Sequence, residues 1–439
     1  MLRPHIVILG AGFGGTYVAK RLAPLVKKGT IDLTIVNRTN YFLFTPLLHE
    51  VATGSLSPTS VAEPLREIFA KTGIQLCQGV VESIDTVEQR VHITGVATDS
   101  GRHTLLYDYL VVATGAETNY YNIPGAEKFS YPLKNLADAA RIRDRVIDAF
   151  EEAILCEDPA ERMRLLSFAV VGAGPTGVET AAELAEFIHG MTERYYGTTA
   201  CRPDEKGLCS SQEPQIGIVD GGKDLISMFS PKLREAAAKR LRDHGINFHL
   251  GSTVSSVTAN ALTLANKTTV PASTVIWAAG VKAIIPDFAG GQPELIGGRI
   301  KVDEYFRVLG QERVFALGDV AGYIDDREIK GPPIASARPV PMLAQAAVQE
   351  AVMLTHNLVA SVTGKKLRPF HYRSRGSMVS VGQWFAVGEV FSLKLSGRLA
   401  WWMWRTLYLF KFASWKKRFR ITFEWTIDLF YPRDITKLS

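Results

Sequence analysis

Two glycine-rich segments, each preceded by a short apolar run, constrain most strongly what this chain can fold into. The first reads His5-Ile-Val-Ile-Leu-Gly-Ala-Gly-Phe-Gly-Gly15 and the second reads Phe168-Ala-Val-Val-Gly-Ala-Gly-Pro-Thr-Gly177. A GxGxxG sequence between a strand and a helix is typical of a dinucleotide-binding βα unit. A single match is weak evidence because glycine-rich turns are common, but two matches in this context predict two nucleotide-binding units.

The glycines of each unit have separate tasks. The first permits the tight turn, the second lets the backbone approach a pyrophosphate, and the third lets the helix pack closely on the strand. The phosphate then lies at the helix N-terminus, where free N–H groups and the helix dipole favour negative charge. These roles fall to Gly10, Gly12 and Gly15 in the first unit and to Gly172, Gly174 and Gly177 in the second, unless the turns are purely structural. Gly14 is a further expected cofactor contact of the first loop.

The next strand of each unit should end beside the ribose of its nucleotide. In the first unit it ends in Asn37, where a carboxylate is usual but an amide can still donate and accept hydrogen bonds. In the second unit it ends in Asp220, and a carboxylate there binds the 2′-hydroxyl and repels a 2′-phosphate. The second unit is therefore predicted to prefer NADH to NADPH.

The rest of the pattern alternates between strands and helices, which predicts a doubly wound α/β architecture. A length of 439 residues indicates two or three domains. We assign 1–120 and 290–368 to the first nucleotide domain, 121–289 to the second, and 369–439 to a C-terminal domain. Residues 191–211 have no regular periodicity and are expected to form a surface loop. Strands are predicted at Asp32–Asn37, Tyr109–Ala113, Gln215–Asp220, Thr274–Ala278, Val314–Leu317, His371–Gly382 and Phe385–Val390.

The net charge of +6 belongs to the C-terminal tail. From Lys394 onward there are 10 Lys/Arg and 3 Asp/Glu; subtracting these from 50 and 44 leaves 40 against 41 in the rest of the chain. This asymmetry argues against a nucleic-acid-binding body and favours a local contact with an acidic surface such as anionic lipid.

Residues 394–430, which we call the basic aromatic tail, contain five of the seven tryptophans. Arg405 and Lys411 interrupt the most apolar run, so the tail is expected to lie in a membrane interface rather than to cross the bilayer. A dimer interface or an internal hairpin would explain the same composition. Helical periodicity places Arg398, Arg405 and Lys416 on one stripe and Leu399, Met403, Leu407 and Phe410 on the opposite side.

Further segments carry a family resemblance. Asp108-Tyr-Leu-Val-Val-Ala-Thr-Gly115 and Val275-Ile-Trp-Ala-Ala-Gly280 are similar to the segments that join the two domains of two-dinucleotide-binding-domain flavoproteins, and Val314-Phe-Ala-Leu-Gly-Asp319 is similar to their flavin-ribityl motif. With Phe44-Thr-Pro-Leu-Leu-His-Glu-Val-Ala-Thr-Gly54 and Ala344-Gln-Ala-Ala-Val-Gln349, the chain resembles the type II NADH:quinone oxidoreductases. The resemblance runs from about residue 4 to the C-terminus.

The resemblance implies an enzyme that passes a hydride from NADH to non-covalently bound FAD and the electrons to quinone, by a ping-pong mechanism and without proton pumping. It implies a respiratory peripheral membrane protein on the cytoplasmic face of the inner (plasma) membrane, with a homodimer as one assembly. FAD contacts are expected from the first glycine loop and from Asn37, Arg38, Thr45, Ala113, Thr114, Gly115, Gly318, Asp319, Ala344 and Gln345. NADH contacts are expected from the second loop and from Glu179, Asp220 and Gly280, and quinone contacts from Gln345, Gln349 and Arg375.

Two helices carry the expected catalytic groups, Gln345 and Glu179. Pro341 is predicted to begin a helix whose N-terminus, by resemblance, lies at the flavin ring, with Gln345 and Gln349 on one face. Glu179 lies in the first turn after the second glycine loop; the family has an acid there, which contacts nicotinamide or relays protons, although a carboxylate on a helix dipole needs no such role. Glu183, His49 and Glu50 are interpreted as structural.

The four cysteines exclude some competing functions. They form no CxxC pair and have no histidine partners at metal spacing, so no metal site is expected. None lies beyond Cys209, which leaves no thiol route of the kind used by dithiol flavoenzymes or sulfide:quinone oxidoreductases. Two alternatives stay open: a soluble NADH-dependent reductase of the same fold with another acceptor, and a regulatory flavoprotein that binds NADH without turnover.

Overall fold

The computed structural model describes residues 3–96, 101–196, 214–325, 339–390, 393–412 and 414–437. The chain divides into two compact units, each assembled from three separate stretches. The first unit comprises 1–43, 62–117 and 281–374, and the second comprises 44–61, 118–280 and 375–439. Cys201, Cys209 and most of the predicted 191–211 loop lie outside the described residues.

The first unit is built on a sheet whose central strand is His5–Leu9. Parallel neighbours flank it on both sides, which explains why Ile6, Val7, Ile8 and Leu9 are all buried. Its strands are Val314–Ala316, Tyr109–Val112, His5–Leu9, Asp32–Asn37 and Gln75–Asp85, continued by Arg90–Gly95 and Arg102–Leu106 and joined by Asp287–Ala289.

Helices and short strands complete this unit. The helix Phe13–Lys27 follows the first glycine loop and packs against the long helix Ala344–Thr363, which Gly364 ends in a left-handed conformation. The remaining elements are the short helices Leu65–Ile68 and Gly318–Val320 and the strands Tyr41–Leu43, Ala62–Pro64, Val281–Ala283, Leu295–Ile296, Arg299–Lys301 and Ala321–Gly322, while Ala116–Thr118 spans the boundary between the units in sequence.

The second unit repeats the doubly wound plan. Its parallel sheet has the order Ser130–Pro132, Thr274–Trp277, Ser167–Val171, Gln215–Asp220 and Ile246–Leu250. The helix Leu136–Leu155 begins at a capping box in which the Asn135 side chain accepts the Asp138 N–H and the Asp138 side chain accepts the Asn135 N–H. Other helices are Thr45–Leu47, Leu48–Ala52, Ala126–Phe129, Pro159–Leu165, Pro175–Met191, Thr192–Tyr196 and Pro231–Asp243; an antiparallel sheet comprises Val254–Val257, Ala261–Leu264 and Thr269–Pro271.

The C-terminal part of the second unit is a small antiparallel sheet followed by two helices. The strands are Ser377–Ser380, Ala386–Val390 and Leu393–Gly397, and the helices Arg398–Leu409 and Trp415–Asp428 form what we call the tail helix pair. The predicted fold class, two Rossmann-like nucleotide-binding regions followed by a C-terminal segment, is confirmed. The predicted strands Asp32–Asn37 and Gln215–Asp220 match the structure residue for residue.

Four local predictions are wrong. The loop expected at 191–211 is helical where it is described, because Met191 ends the helix Pro175–Met191 and the helix Thr192–Tyr196 follows directly. The helix expected to begin at Pro341 begins at Ala344 and has Leu343 as its N-cap. The strand predicted at 371–382 covers only Ser377–Ser380, because the ladder with Ala386–Val390 extends no further than Ser377. The basic and apolar stripes predicted for the tail do not lie on one continuous helix, because the first helix ends at Leu409 and the second begins only at Trp415.

The burial of the tail also differs from the expected orientation. Arg405 does not face solvent with Arg398: it is only 6% exposed, and its guanidinium carbon lies 3.9 Å from the ring centre of Trp401 and 4.7 Å from that of Trp425. The apolar side of the same helix is the exposed one, with Leu399 at 82%. Arg405 therefore stabilises the interior of the second unit through cation–π contacts.

The tail helix pair is fastened to the segment 44–61 by buried polar contacts. The Trp425 indole N–H donates to the Glu50 carboxyl at 2.6 Å, and the Glu424 carboxylate accepts from the Ser57 hydroxyl at 3.0 Å and the Ser60 hydroxyl at 2.9 Å. Glu50 is 2% exposed, so its indole partner replaces water that cannot reach it.

We expect Trp425→Phe to lower the free energy of unfolding by about 1–3 kcal/mol, because the buried Glu50 carboxyl loses its hydrogen-bond donor while the ring volume is largely kept. Urea unfolding of both proteins would measure the change. The matched control is Trp402→Phe in the same helix pair, because the Trp402 side chain is half exposed and should change stability by less than about 0.5 kcal/mol. Equal losses in the two variants would contradict the assigned role of the indole–carboxyl bond.

Candidate active site

The first glycine loop has the geometry that the sequence predicts for a phosphate-binding turn. Gly10 has a φ of 104°, and a Cβ there would collide with the carbonyl oxygen of Ala113. A Cβ at Gly15 would collide with the carbonyl oxygen of Gly10, so only glycine lets the helix approach the strand this closely. Above Gly12, by contrast, no atom lies within 4 Å of where a Cβ would be.

The second loop repeats this arrangement. A Cβ at Gly177 would meet the carbonyl oxygen of Gly172, whereas the space above Gly174 is open. Gly12 and Gly174 are the N-caps of their helices, and neither helix has a side-chain cap or an acidic residue in its first turn. At both helix N-termini the glycine therefore leaves room for a phosphate, and the helix dipole favours negative charge there, which is what the pyrophosphates of FAD and NADH require.

Asn37 and Asp220 occupy equivalent positions at the ends of the second strands. The Asn37 Oδ1 accepts the Ala11 N–H at 2.9 Å, and one carboxylate oxygen of Asp220 accepts the Ala173 N–H at 2.7 Å. The other Asp220 oxygen accepts the Gly222 N–H at 2.5 Å. Each side chain therefore holds its glycine loop, and Asn performs this structural task in the first unit without a charge.

The remaining predicted FAD residues of the first unit surround its carboxyl strand ends. Leu317 N–H donates to the carbonyl of Val112 at 3.1 Å, which places the turn Gly318–Val320 next to the end of the strand Tyr109–Val112. Thr114 donates its hydroxyl to the Ile284 carbonyl at 2.6 Å, so it supports the backbone rather than presenting that proton to a ligand. Ala113, Gly115, Arg38 and Asp319 belong to the same unit, whereas Thr45 belongs to the second.

The predicted quinone residues are divided between the units. Gln345 and Gln349 lie in the first two turns of the helix Ala344–Thr363. The Gln349 amide is already engaged, donating to the Arg373 carbonyl at 3.0 Å and accepting the Arg373 N–H at 3.4 Å. Arg375 is exposed and belongs to the second unit, as do Glu179 and Gly280.

Glu179 is buried in the helix Pro175–Met191, but it lies in the second turn and not in the first turn that the sequence predicts, because the helix begins at Pro175. It is 6% exposed, accepts the Ser380 N–H at 3.2 Å, and has one carboxylate oxygen 3.8 Å from the His49 Nδ1. Burial raises the pKa of Glu179 well above its ordinary value. Burial likewise lowers the pKa of His49 to about 4, so the imidazole is neutral near pH 7 and does not form a charged pair with Glu179.

Two further glutamates follow Glu179 along the same helix. Burial raises the pKa of Glu183, but the charge of Arg433, its hydrogen bond and the charge of Arg405 oppose burial and leave the pKa below its ordinary value. Its carboxylate accepts from Arg433 at 2.6 Å, so Glu183 is one half of a buried ion pair. Burial raises the pKa of Glu186 to about 7, although Arg433 also lies 3.5 Å from it.

The sequence predicts only a structural role for Glu50, yet the surroundings of its carboxyl group are unusual. Burial raises its pKa to about 8, against the opposing charge of Arg405. Together with Glu179 and Glu186 it makes the interior of the second unit rich in carboxyl groups that hold protons near neutral pH. The sequence signals these buried carboxyl groups only through the cations of the tail, such as Arg405, and helical periodicity predicts that those cations lie on the surface.

Two protein-family models match the chain. Residues 4–351 match the pyridine nucleotide-disulphide oxidoreductase family, and residues 374–434 match the NDH2 C-terminal domain. The structure is similar to that of NDH2 from Plasmodium falciparum in complex with NADH, with a TM-score of 0.86 and 23% identity over 99% of this chain and 100% of that one.

Curated relatives agree over nearly the full length. A type II NADH:quinone oxidoreductase, Ndh, of Mycobacterium tuberculosis is 31% identical over 98% of this chain and 89% of its own. The demethylphylloquinone reductase NdbB of Synechocystis is 31% identical over 96% of both chains. With its two nucleotide-binding loops and its C-terminal domain of the matching type, this chain belongs to the type II NADH:quinone oxidoreductases.

Proposed function

We propose that this protein oxidises NADH through FAD and reduces a quinone at a membrane surface. The observation that carries the proposal is the presence of two uncapped glycine loops, Gly10–Gly15 and Gly172–Gly177, in a chain that is similar over its whole length to NADH:quinone oxidoreductases. One loop would bind the pyrophosphate of FAD and the other that of NADH. No pair of cysteines is needed for this route.

Within the first unit, Asp319 would accept hydrogen bonds from the ribityl chain of FAD, and Ala344 and Gln345 would lie at its ring. Bound FAD would supply the redox chemistry, taking a hydride from NADH and returning electrons to quinone. The helix Ala344–Thr363 has no acidic residue in its first turn, so its N-terminal dipole is free to stabilise negative charge there.

The quinone would be bound by Gln345 and, through its remaining hydrogen-bonding capacity, by Gln349, with Arg375 as a further contact. Because the Gln349 amide pairs with the backbone of Arg373, we infer that Gln349 mainly orders that backbone while Gln345 contacts the quinone carbonyl. In the second unit, Glu179 would be the proton donor, because its raised pKa leaves the carboxyl protonated near neutral pH.

Stopped-flow absorbance of the purified flavoprotein tests the function directly. We expect NADH to bleach the flavin band and a short-chain quinone, added next, to restore it. A flavin that NADH does not reduce would refute the NADH half of the proposal, and a reduced flavin that quinone does not reoxidise would refute the quinone half. Slow reduction followed by a long-lived charge-transfer band would instead indicate the regulatory flavoprotein.

Asp220→Asn tests the assignment of the nicotinamide nucleotide. Asn37 shows that an amide at this position can hold a glycine loop, so the variant should fold while losing the charge that repels a 2′-phosphate. We expect the preference for NADH over NADPH, as the ratio of kcat/KM values, to fall by roughly tenfold or more, about 1.4 kcal/mol for each tenfold. The control is Asp243→Asn, an exposed carboxylate of the same unit paired with Lys239, which should leave the ratio unchanged. An unaltered ratio in Asp220→Asn would remove Asp220 from the ribose site.

The membrane contact would be the outer face of the tail helix pair. The described helices include none that is both long and apolar enough to cross a membrane. The helix pair nevertheless exposes a dense group of large apolar side chains next to basic residues, with the Arg418 guanidinium over the rings of Phe410 and Trp415. The exposed apolar side chains are Leu399, Trp402, Leu407, Phe410, Trp415, Phe419, Phe423, Ile427, Phe430 and Tyr431.

We therefore propose a peripheral protein on the cytoplasmic face of the inner (plasma) membrane. The double variant Phe419→Glu/Phe423→Glu should lower binding to vesicles of phosphatidylethanolamine and phosphatidylglycerol at least tenfold, because burying each ring contributes about 1.5–3 kcal/mol. Sedimentation of protein with vesicles measures the bound fraction.

The matched control is Val87→Glu/Leu155→Glu, which places charges at two equally exposed apolar positions outside the tail. It should bind vesicles like the unaltered protein. If both double variants bind vesicles normally and the tail variant instead dissociates a dimer in analytical ultracentrifugation, the apolar face is a homodimer interface.

A further inference from the structure

A buried carboxyl group lies directly beneath the Gly318–Asp319 turn of the first unit. Glu350 follows Gln349 on the helix Ala344–Thr363, points inward and is only 4% exposed. One of its oxygens accepts the Gly318 N–H at 2.6 Å. Glu350 thus fixes the backbone of Gly318, which immediately precedes Asp319, the expected ribityl-binding carboxylate.

Two charged groups among the described residues act on Glu350, each from a different element. Arg299, on the strand Arg299–Lys301, is 6% exposed, donates to the Val340 carbonyl at 2.8 Å and attracts both Glu350 and Asp319. Asp319 repels Glu350 from the adjacent turn. Arg299 and Glu350 are buried and Asp319 is half-buried, and the three side chains form a charge cluster in which one cation faces two carboxyl groups.

This balance leaves Glu350 poised between its two protonation states. Burial raises its pKa to about 7; the Gly318 N–H and Arg299 oppose that shift, and Asp319 adds to it. Any further negative charge near Asp319 would favour the protonated form more strongly. Near neutral pH a single added charge is therefore enough to change the occupancy of this site.

We propose that Glu350 is a positioning residue that binds one proton from water when the FAD held at Asp319 becomes more negative, and returns it when that charge is removed. The step is carboxylate plus proton giving carboxylic acid, and no electrons pass through Glu350. It rests on the proposed FAD-dependent function, in which hydride delivery adds one negative charge to the flavin ring expected at Ala344 and Gln345, on the same helix as Glu350. Glu350 thereby keeps the summed charge of the FAD and the charge cluster constant.

The structural role and the proton role can be separated, because they depend on different properties of the side chain. Either protonation state of Glu350 can accept the Gly318 N–H, since a carboxylic acid retains its carbonyl oxygen. Glutamine offers the same carbonyl oxygen at the same place but cannot titrate. A merely structural Glu350 should therefore be replaced by Gln without any effect on proton uptake.

The experiment compares the pH dependence of the FAD midpoint potential in the holoenzyme and in Glu350→Gln. Over the pH range in which Glu350 exchanges its proton, the midpoint potential of the unaltered protein should fall with pH more steeply than that of Glu350→Gln. The difference is the slope that one additional proton produces. A tenfold change in a two-electron equilibrium corresponds to 29.6 mV, so the extra slope is about 30 mV per pH unit. Titration of the reduced flavin itself is common to both proteins and cancels in the comparison.

Glu88→Gln is the control, because it removes an exposed carboxylate of the same unit that pairs with Arg90. Its slope should equal that of the unaltered protein. A second readout is the infrared difference spectrum between oxidised and reduced holoenzyme, where a protonated-carboxyl band should appear on reduction and be missing in Glu350→Gln. If Glu350→Gln does not fold, Glu350→Asp keeps a titratable carboxyl group and should shift the frequency of the band, whereas an unshifted band would assign it to another carboxyl group and overturn the proposal.

Equal slopes in all three proteins, or no carboxyl band on reduction, would overturn the proposal. Reduction in these titrations is electrochemical, so its outcome does not depend on NADH or quinone. A flavin that NADH cannot reduce but that shows the extra slope would refute the proposed function and keep the role of Glu350. Normal turnover with equal slopes would support the proposed function and refute the role of Glu350.

Discussion

The close approach of helix to strand at two glycines is the constraint on which the nucleotide-binding geometry depends. At Gly15 and at Gly177 a side chain would collide with the carbonyl oxygen of the first glycine of the loop. Because both helices come so near, their N-termini lie at the carboxyl ends of the sheets, where the second glycine leaves room for a phosphate. The side chains of Asn37 and Asp220 then fix each loop from the neighbouring strand.

A second constraint operates inside the second unit, where several carboxyl groups are buried together. Glu50, Glu179 and Glu183 are buried and Glu186 is half-buried, and the described cations that act on them include Arg405 and Arg433. Arg433 neutralises Glu183 directly, while the other three keep raised pKa values because burial outweighs the cations available. Protonation, rather than pairing, is therefore how this interior accommodates most of its acids.

Sequence patterns predicted the parallel sheets well for a physical reason. A strand buried on both faces, such as His5–Leu9, must be a short apolar run, and the glycines that follow it leave little choice of turn. The tail was predicted less well, because helical periodicity reports two opposite faces without saying which one is covered. Arg405 carries a charge but is covered by two indole rings, and the apolar side chains opposite it are the exposed ones.

The burial of Glu50 and Glu350 could not be predicted from the sequence. Nothing in the spacing of Glu50 or Glu350 distinguishes it from a glutamate on a solvated helix face, because its burial depends on elements far away in the chain. Gln349 illustrates the same limit: its motif points to a ligand, yet the fold directs its amide to the backbone of Arg373. Gln349 and Glu350 are consecutive, so one turn of the helix Ala344–Thr363 both orders the backbone near the expected quinone site and supports the Gly318–Asp319 turn from below. Within the first unit, that helix is therefore joined through hydrogen bonds to main-chain groups of two separate segments, at Gly318 and at Arg373.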